Sequence, residues 1–289
     1  MAINFAALAQ AHSDGKTKYT IFRRVPTPTT GSGIWFDLSV VPGIPTPNYY
    51  IGSIATATQM VRTPASGKID GGIDHGPDVS PSVKQLLRMM TVIQTPTTAV
   101  PLPMILCDYL MCYPFIAQDT GSQAMANPVT LPRYTTGAGV QAMAVLVAPQ
   151  VGGTKFFITY TNQDGVAGRV SQTVTCNTQT VNGTILNTAP ATVGCGGPFI
   201  PLQAGDTGIR SIEAVEYLSP DIGLMTLVLV KPITSINHYD VTAPTEIIYP
   251  IDRGTAPVIQ DDAFLGLICC PSGTIASANI IGEIETVWN

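Results

Sequence analysis

Residues 140–176 read VQAMAVLVAPQVGGTKFFITYTNQDGVAGRVSQTVTC, and this stretch decides the fold. Val140–Ala148 is an unbroken apolar run of strand length. Lys155–Thr161 is dense in aromatic and β-branched residues, which suit a pleated surface. Asn162–Gly165 contains Asp-Gly, a hairpin signal. Arg169–Cys176 then sets Val170, Val174 and Cys176 at even spacing, on one face of a strand. The rhythm continues through Gly183–Leu186, Phe199–Leu202, Ile209–Leu218 and Leu224–Val230. Their intervals of roughly 10–15 residues are close to those of a sandwich. Ala263–Cys270 and Ile280–Trp288 add later strands. No fixed-period repeat appears, which weighs against a solenoid or propeller.

Upstream the pattern changes. VPTPTTGSG (25–33), VPGIPTPNYY (41–50) and RTPASGKIDGG (62–72) are rich in Pro and Gly, which resist helix and favour extended or turn conformations. Such an arm is expected to form little core of its own and to lie along other protein surfaces. Pro81–Ile93 reads as a helix. Ser80 stands at the cap and Pro81 at the first turn, or Ser82 and Gln85 form a capping box, and Val83, Leu86, Leu87 and Met90 share a face. Pro96 ends it. Met104–Phe115 is strand-like, interrupted by Pro114.

The fold expected is therefore all-β: an antiparallel β-sandwich, jelly-roll-like, with an extended N-terminal arm and one short helix. Residues 1–80 form the arm and 81–136 the helix and connecting segment. Residues 137–232 form the sandwich body, and 233–289 supply strands that complete it or contact neighbours. Val145, Phe157, Ile158, Val174, Ile212, Val215, Leu227 and Leu229 are the expected core of the body.

Composition narrows the function. Only 11% of the 289 residues are charged, against roughly 25% in an average soluble domain. Apolar residues reach 45% and the mean hydropathy is +0.27. A surface so poor in charge implies cover by something else. No stretch approaches the ~20 unbroken apolar residues of a spanning helix, so partner subunits are the expected cover, because permanent interfaces are depleted in charge. The net charge of −5 argues against direct contact with nucleic acid. Lys16, Lys18, Arg23 and Arg24 form the one basic cluster, read as a solvated loop. Ala9–Ala11 imitates a leader cleavage site without a basic n-region, so no signal peptide is expected. Cys107, Cys112, Cys176, Cys195, Cys269 and Cys270 are then expected mostly as buried thiols, and Cys269 and Cys270 point to opposite faces.

Several residues have the types that chemistry uses. Asp70, Asp74, His75 and Asp78 lie in DGGIDHGPD, a glycine-rich loop whose oxygens suit a hard cation such as Ca²⁺. The spacing is not that of an EF-hand, and the plain reading is a loop. His238 and Asp240 could orient a base, but no nucleophile elbow accompanies them and a structural histidine is expected. Cys107 and Cys112 lack zinc-site spacing. Asp261–Asp262 reads as a turn. Asn182-Gly183-Thr184 fits a glycosylation sequon, meaningful only in a secreted eukaryotic chain. No Walker A or dinucleotide fingerprint is present. No catalytic, cofactor or metal residues are therefore assigned.

Two blocks carry a family resemblance: LPRYTTGAGVQAMAVLVAPQVGGTKFFITYTNQDGVAGRVSQTVTCNT (131–178) and GPFIPLQAGDTGIRSIEAVEYLSPDIGLMTLVLVKPI (197–233). They resemble tailed-bacteriophage virion proteins, of the kind that decorate or cement the head. The resemblance covers roughly 131–233 and consists of packing and turn motifs. It implies a non-enzymatic β-sandwich that oligomerises, with a trimer favoured, and docks on the major capsid protein of a virion assembled in the host cytoplasm. Two other functions stay open: a shell-forming subunit with a jelly-roll fold, and a carbohydrate-active or receptor-binding tail protein. The last usually shows Trp- and Tyr-lined clefts with paired acids, whereas Trp35 and Trp288 are the only tryptophans.

Overall fold

The computed structural model describes residues 5–62, 71–95, 98–119, 121–176, 178–186, 197–249 and 251–289. In chain order it contains α1 (Phe5–Ser13), β1 (Thr17–Arg24), β2 (Phe36–Asp37), a 3-10 turn at Leu38–Val40, β3 (Gly43–Ile44) and β4 (Thr58–Gln59). Next come β5 (Lys84–Ile93), β6 (Leu102–Ala117), β7 (Ser122–Ala124), β8 (Gln141–Ala148), β9 (Thr154–Asn162), β10 (Arg169–Val170) and β11 (Val174–Cys176). The remainder is β12 (Ile209–Ser219), β13 (Leu224–His238), β14 (Thr245–Ile248), β15 (Val258–Ile259), β16 (Leu265–Cys269) and β17 (Ile280–Trp288).

These strands build three antiparallel sheets. The central one runs β2-β16-β6-β13-β8, with β4 also on β6. A second runs β14-β5-β17-β1-β3, with β15 on β5, and a third runs β10-β9-β12-β7, with β11 on β9. The 16-residue β6 and the 15-residue β13 span both halves of the molecule. Leu102, Met104 and Leu106 of β6 pack with Leu86, Met89, Ile280, Ile284 and Phe22 of the second sheet. Farther along β6, Leu110, Met111, Tyr113 and Ile116 pack with Phe156, Ile158, Tyr160, Ile212 and Val215 of the third. Cys107, Tyr109 and Cys112 turn to the other side, against Val228, Val230, Tyr50, Met60 and Phe264.

Irregularities keep that long pair in phase. Its register shifts between Met225 and Leu227, between Leu229 and Val230, and between Pro232 and Thr234. Proline has no N–H for a ladder, so it is tolerated at bulges. Pro232 borders one shift, and Pro114 lies within another, between the pairs Leu227–Tyr113 and Met225–Ile116. Pro114 thus bends β6 rather than ending it.

The all-β expectation holds, including the strands at 141–148 and 154–162 and the hairpin turn, but Arg169–Cys176 splits into β10 and β11, with Val170 exposed on one face and Val174 and Cys176 buried on the other. Gly165 donates to the Asn162 carbonyl at 3.0 Å and has φ +79°, a conformation glycine adopts freely. Several details differ. Residues 84–93 form strand β5, not a helix. A short apolar run fits either period, and here pairing decides, because β17 and β14 lie along its two edges. The one α-helix among the described residues is α1, whose Leu8 and Ala11 pack on Leu87 and Val287. Phe199–Leu202 is irregular. Gly183–Leu186 contributes only isolated bridges, Thr184 to Phe36 and Ile185 to Val145. Of the expected core, Phe157 is half-buried and Phe156 takes its place, since adjacent strand residues face opposite ways.

The arm is extended but is not free of its own body. All eight residues of β1 pair with β17, and Phe22, Phe36, Leu38 and Val41 enter the core. Its Pro-rich pieces alternate with these apolar anchors, and burying them outweighs the lack of regular structure. Arg24 is buried and donates to the Pro45 and Gly71 carbonyls. Lys16 meets Asp14, Lys18 meets Asp74, and Arg23 meets Asn279, so the basic cluster is dispersed.

Gly282 of β17 lies under the buried Phe22 ring, where an added Cβ would sit 2.1 Å from Cζ. Overpacking of this kind costs about 1–3 kcal/mol. Gly282→Ala should lower the urea midpoint accordingly. Gly121→Ala, with nothing within 4 Å, should leave stability within about 0.5 kcal/mol.

Candidate functional site

Polar side chains inside this apolar scaffold are the first place to look for chemistry, because burying charge is costly without a partner. Asp108 is buried on β6, between Leu106 of one apolar cluster and Leu110 of another. Arg133 grips it with two bonds, Nε to Oδ2 at 2.9 Å and Nη2 to Oδ1 at 2.7 Å. Nη2 also donates to the Met60 and Tyr109 carbonyls, and Phe264 N donates to Oδ1 at 3.0 Å. Burial pushes the Asp108 carboxyl up and Arg133 pulls it back. Asp37 is fully buried on β2 and accepts from Tyr109 Oη at 2.8 Å, Ser39 N at 2.8 Å and the Tyr50 hydroxyl. Burial raises the Tyr50 and Tyr109 hydroxyls far above their usual range, so both remain donors.

A third centre joins the end of β9 and the start of β10 to the loop before β12. Asp206 accepts from Tyr160 Oη at 2.6 Å, Asn162 Nδ2 at 2.8 Å and Arg169 Nε at 2.9 Å. The Arg169 hydrogen bonds hold its carboxyl down at about 2. In each centre the carboxylate is saturated by donors of its own fold. That arrangement locks segments together.

The residues singled out in the sequence are dispersed. Asp70 lies outside the described residues. Asp74 pairs with Arg62 Nη2 at 2.7 Å and Lys18 Nζ at 3.5 Å. His75 is buried between Lys84 Nζ and the Ala263 carbonyl, each 3.0 Å away. Desolvation first, then the Lys84 charge, hold its imidazole down at about 3. Asp78 accepts from Asp262 N at 3.2 Å. Asp74 and Asp78 therefore go to different partners, and among the described residues no three His, Cys, Asp or Glu side chains could hold a metal ion.

His238 is buried against Thr91 Oγ1 at 2.5 Å and Thr245 Oγ1 at 3.3 Å. Asp240 turns away and accepts from Thr242 N and Oγ1, both at 2.7 Å. The bond between the two runs from the His238 ring to the Asp240 backbone, not to its carboxylate. Cys107, Cys112, Cys176 and Cys269 are buried free thiols and Cys270 is half-buried. Burial raises Cys112 to about 12, which keeps it a thiol. Cys195 lies outside the described residues. Asp261–Asp262 is a turn, with Asp262 at φ +57°.

The surface offers a different feature. Tyr49, Ile51 and Ile54 are 67%, 79% and 70% exposed within six residues. A cavity of about 370 Å³ lies on one side of Tyr49 and Tyr50, lined by Pro28, Val41, Phe115, Leu146 and Asn182 among others. A second of about 310 Å³ lies on the other, lined by Pro47, Ile51, Met60 and Phe264 among others. The buried pairs and this apolar ridge escaped the sequence reading. The signal for the pairs was present: Asp108 sits alone in MILCDYLMCY and Asp37 in IWFDLSV, and a lone charge in an apolar strand requires a buried partner.

Arg133→Met should strand the Asp108 carboxylate and cost about 3–5 kcal/mol in chemical denaturation. Adding Asp108→Asn should recover part of that loss. Asp206 makes a pH-dependent contribution. Its folded pKa lies below the usual 3.8, so this stability is complete above that value and disappears as pH falls toward 2. The stability gap between wild type and Asp206→Asn should close over that window.

No protein-family model matches the chain, and no curated protein does. Among solved structures, a chain of infectious bursal disease virus, Gt strain, aligns with 94% of this chain and 81% of its own length, at 9% identity and a TM-score of 0.18. A chain from infectious bursal virus derived T=1 particles covers 94% and 78%, at 8% identity and a TM-score of 0.18. The VP2 subviral particle of that virus covers 94% and 80%, at 7% identity and a TM-score of 0.16. These neighbours come from virus particles of a kind other than tailed bacteriophage, and scores this low mark no shared fold.

Proposed function

We propose that this chain is a structural protein of a virion, acting through contact surfaces and not through catalysis. The observation that carries the reading is the pairing of a charge-poor composition with an exposed apolar ridge. Only 33 of 289 residues are charged, and Arg24, Asp37, Lys84, Asp108, Arg133 and Glu283 are spent inside the fold. What remains is a thin charged skin interrupted by Tyr49, Ile51 and Ile54. Exposed apolar clusters of this kind belong to surfaces that meet protein.

The finer reading is a decoration or cement subunit on a tailed-phage head, closing as a trimer and docking on the major capsid protein. The resemblance of residues 131–178 and 197–233 supports it. In this reading the chain bridges neighbouring shell subunits and stabilises the assembled state by mass action. It needs no cofactor, and the particle assembles in the host cytoplasm. Leu224 and Trp288, an apolar strand residue and an aromatic near the last strand's end, are candidate anchors for such contacts. Both are half-buried, Leu224 between Ala117 and Ala148 and Trp288 beside Lys84 in its own sheet. The ridge at 49–54 is the more exposed candidate.

Sedimentation and electron microscopy of the full chain, alone and mixed with phage heads, test the reading. Small oligomers that co-sediment with heads support decoration, and closed shells from the chain alone support a shell subunit. Ile51→Glu or Ile54→Glu should weaken association by about 2 kcal/mol or more, roughly thirtyfold. A monomer at micromolar concentration that binds no particle overturns the proposal.

A further inference from the structure

β5 opens on a lysine withdrawn from water. The Lys84 side chain has no exposed surface. Its Nζ lies 3.0 Å from His75 Nδ1 and 3.3 Å from Asp261 Oδ1. Asp261 is fixed from another side. Val79 N donates to Oδ1 at 3.0 Å and Oδ2 at 3.1 Å, and Ser80 N donates to Oδ2 at 2.9 Å. His75 is fixed as well, with Nε2 3.0 Å from the Ala263 carbonyl and its own carbonyl held by Thr286 Oγ1 at 2.9 Å. A carbonyl oxygen only accepts, so Nε2 carries the ring proton and Nδ1 turns a lone pair toward Nζ.

These groups are the parts of an acyl transfer to nitrogen. There is an amine, a proton acceptor beside it, and a carboxyl carbon one bond from the oxygen the amine touches. Two backbone N–H groups aim at the carboxyl oxygens, where charge builds when the carbon is attacked. Desolvation weakens the hold of Lys84 on its proton. We propose that Lys84 and Asp261 condense into an intramolecular isopeptide bond that ties β5 to the turn before β16. The Nζ–Cγ bond forms and a Cγ–O bond of the carboxylate breaks. Of the three ammonium hydrogens, one stays on the amide nitrogen and two leave with the carboxylate oxygen as water. Asp261 Oδ1 takes the first of these directly across its 3.3 Å contact with Nζ, and the His75 Nδ1 lone pair holds the amine in place. The positive and negative charges cancel, and no further reactant enters. Asp261 is a quarter exposed, which gives the released water an exit. The product exchanges a buried ion pair, with its desolvation cost, for a neutral amide.

The tie closes a loop of 177 positions and does not depend on any partner. Intact mass spectrometry of the purified full chain tests it. The folded protein should weigh one water less than its sequence, and proteolysis should yield a branched peptide joining Lys84 to Asp261. Lys84→Arg and Asp261→Ala should each restore the full mass. Cyclisation at Asp164-Gly165 also releases one water, so the branched peptide is the deciding species. A folded wild type that keeps its full sequence mass after prolonged incubation overturns the proposal, as does a water loss that yields no peptide joining Lys84 to Asp261.

Discussion

The antiparallel pairing of β6 with β13 is the constraint on which the rest of the structure depends. These two strands lie at the centre of one sheet, and their side chains enter all three apolar clusters. A slip of β6 by one residue would exchange its two faces along its whole length. Leu102 and Leu106 would leave one core, Tyr113 and Ile116 another, and Asp108 would lose Arg133. The bulges beside Pro114 and Pro232 belong to this constraint. They let one pair of strands serve two sandwiches whose packing demands differ along its length.

Much of the scaffold was legible because its strands announce themselves locally. Lys155–Thr161 and Ile209–Leu218 are strands by composition alone, and Asp164-Gly165 marks the turn after the first. Residues 84–93 were not legible in this way. KQLLRMMTVI satisfies a helical face and a strand face equally, and the arbiter is β17, almost two hundred residues later, whose Glu283 and Ile284 pair with Met90 and Met89. The packing of the arm was hidden for the same reason, since Phe22 and Phe36 find their partners only in the folded sheet. Of the candidate site residues, Asp74, His75 and Asp78 lie in irregular backbone, which their Gly- and Asp-rich context favours. Their real role lies in partners that no local spacing reveals: Arg62, Lys84 and the backbone of Ala263.

The few charges in this chain are concentrated where they cross-link distant segments. Arg133 joins Asp108 to the carbonyls of Met60 and Tyr109, and Arg24 joins β1 to the carbonyls of Pro45 and Gly71. Arginine suits this work because its planar fork serves several acceptors at once. Charge used this way gives specificity to the packing of irregular segments, which have no ladder to fix their register. The same use leaves less charge outside, so internal order and surface adhesiveness are linked through one small set of residues.

The pairing of β1 with β17 also has a consequence in time. Tyr19 and Glu283 stand 264 positions apart and meet in neighbouring strands. A ribosome adds roughly 5–20 residues each second, so β1 waits on the order of 13–50 s for its neighbour to be made. During that interval Phe22 has no sheet to cover it, and β1 is an open template for a strand of any other nascent chain. Long-range closure of this kind also folds slowly once the chain is complete. On a crowded polysome the yield of this protein is therefore set by how well that early strand is shielded, and slow synthesis lengthens its exposure.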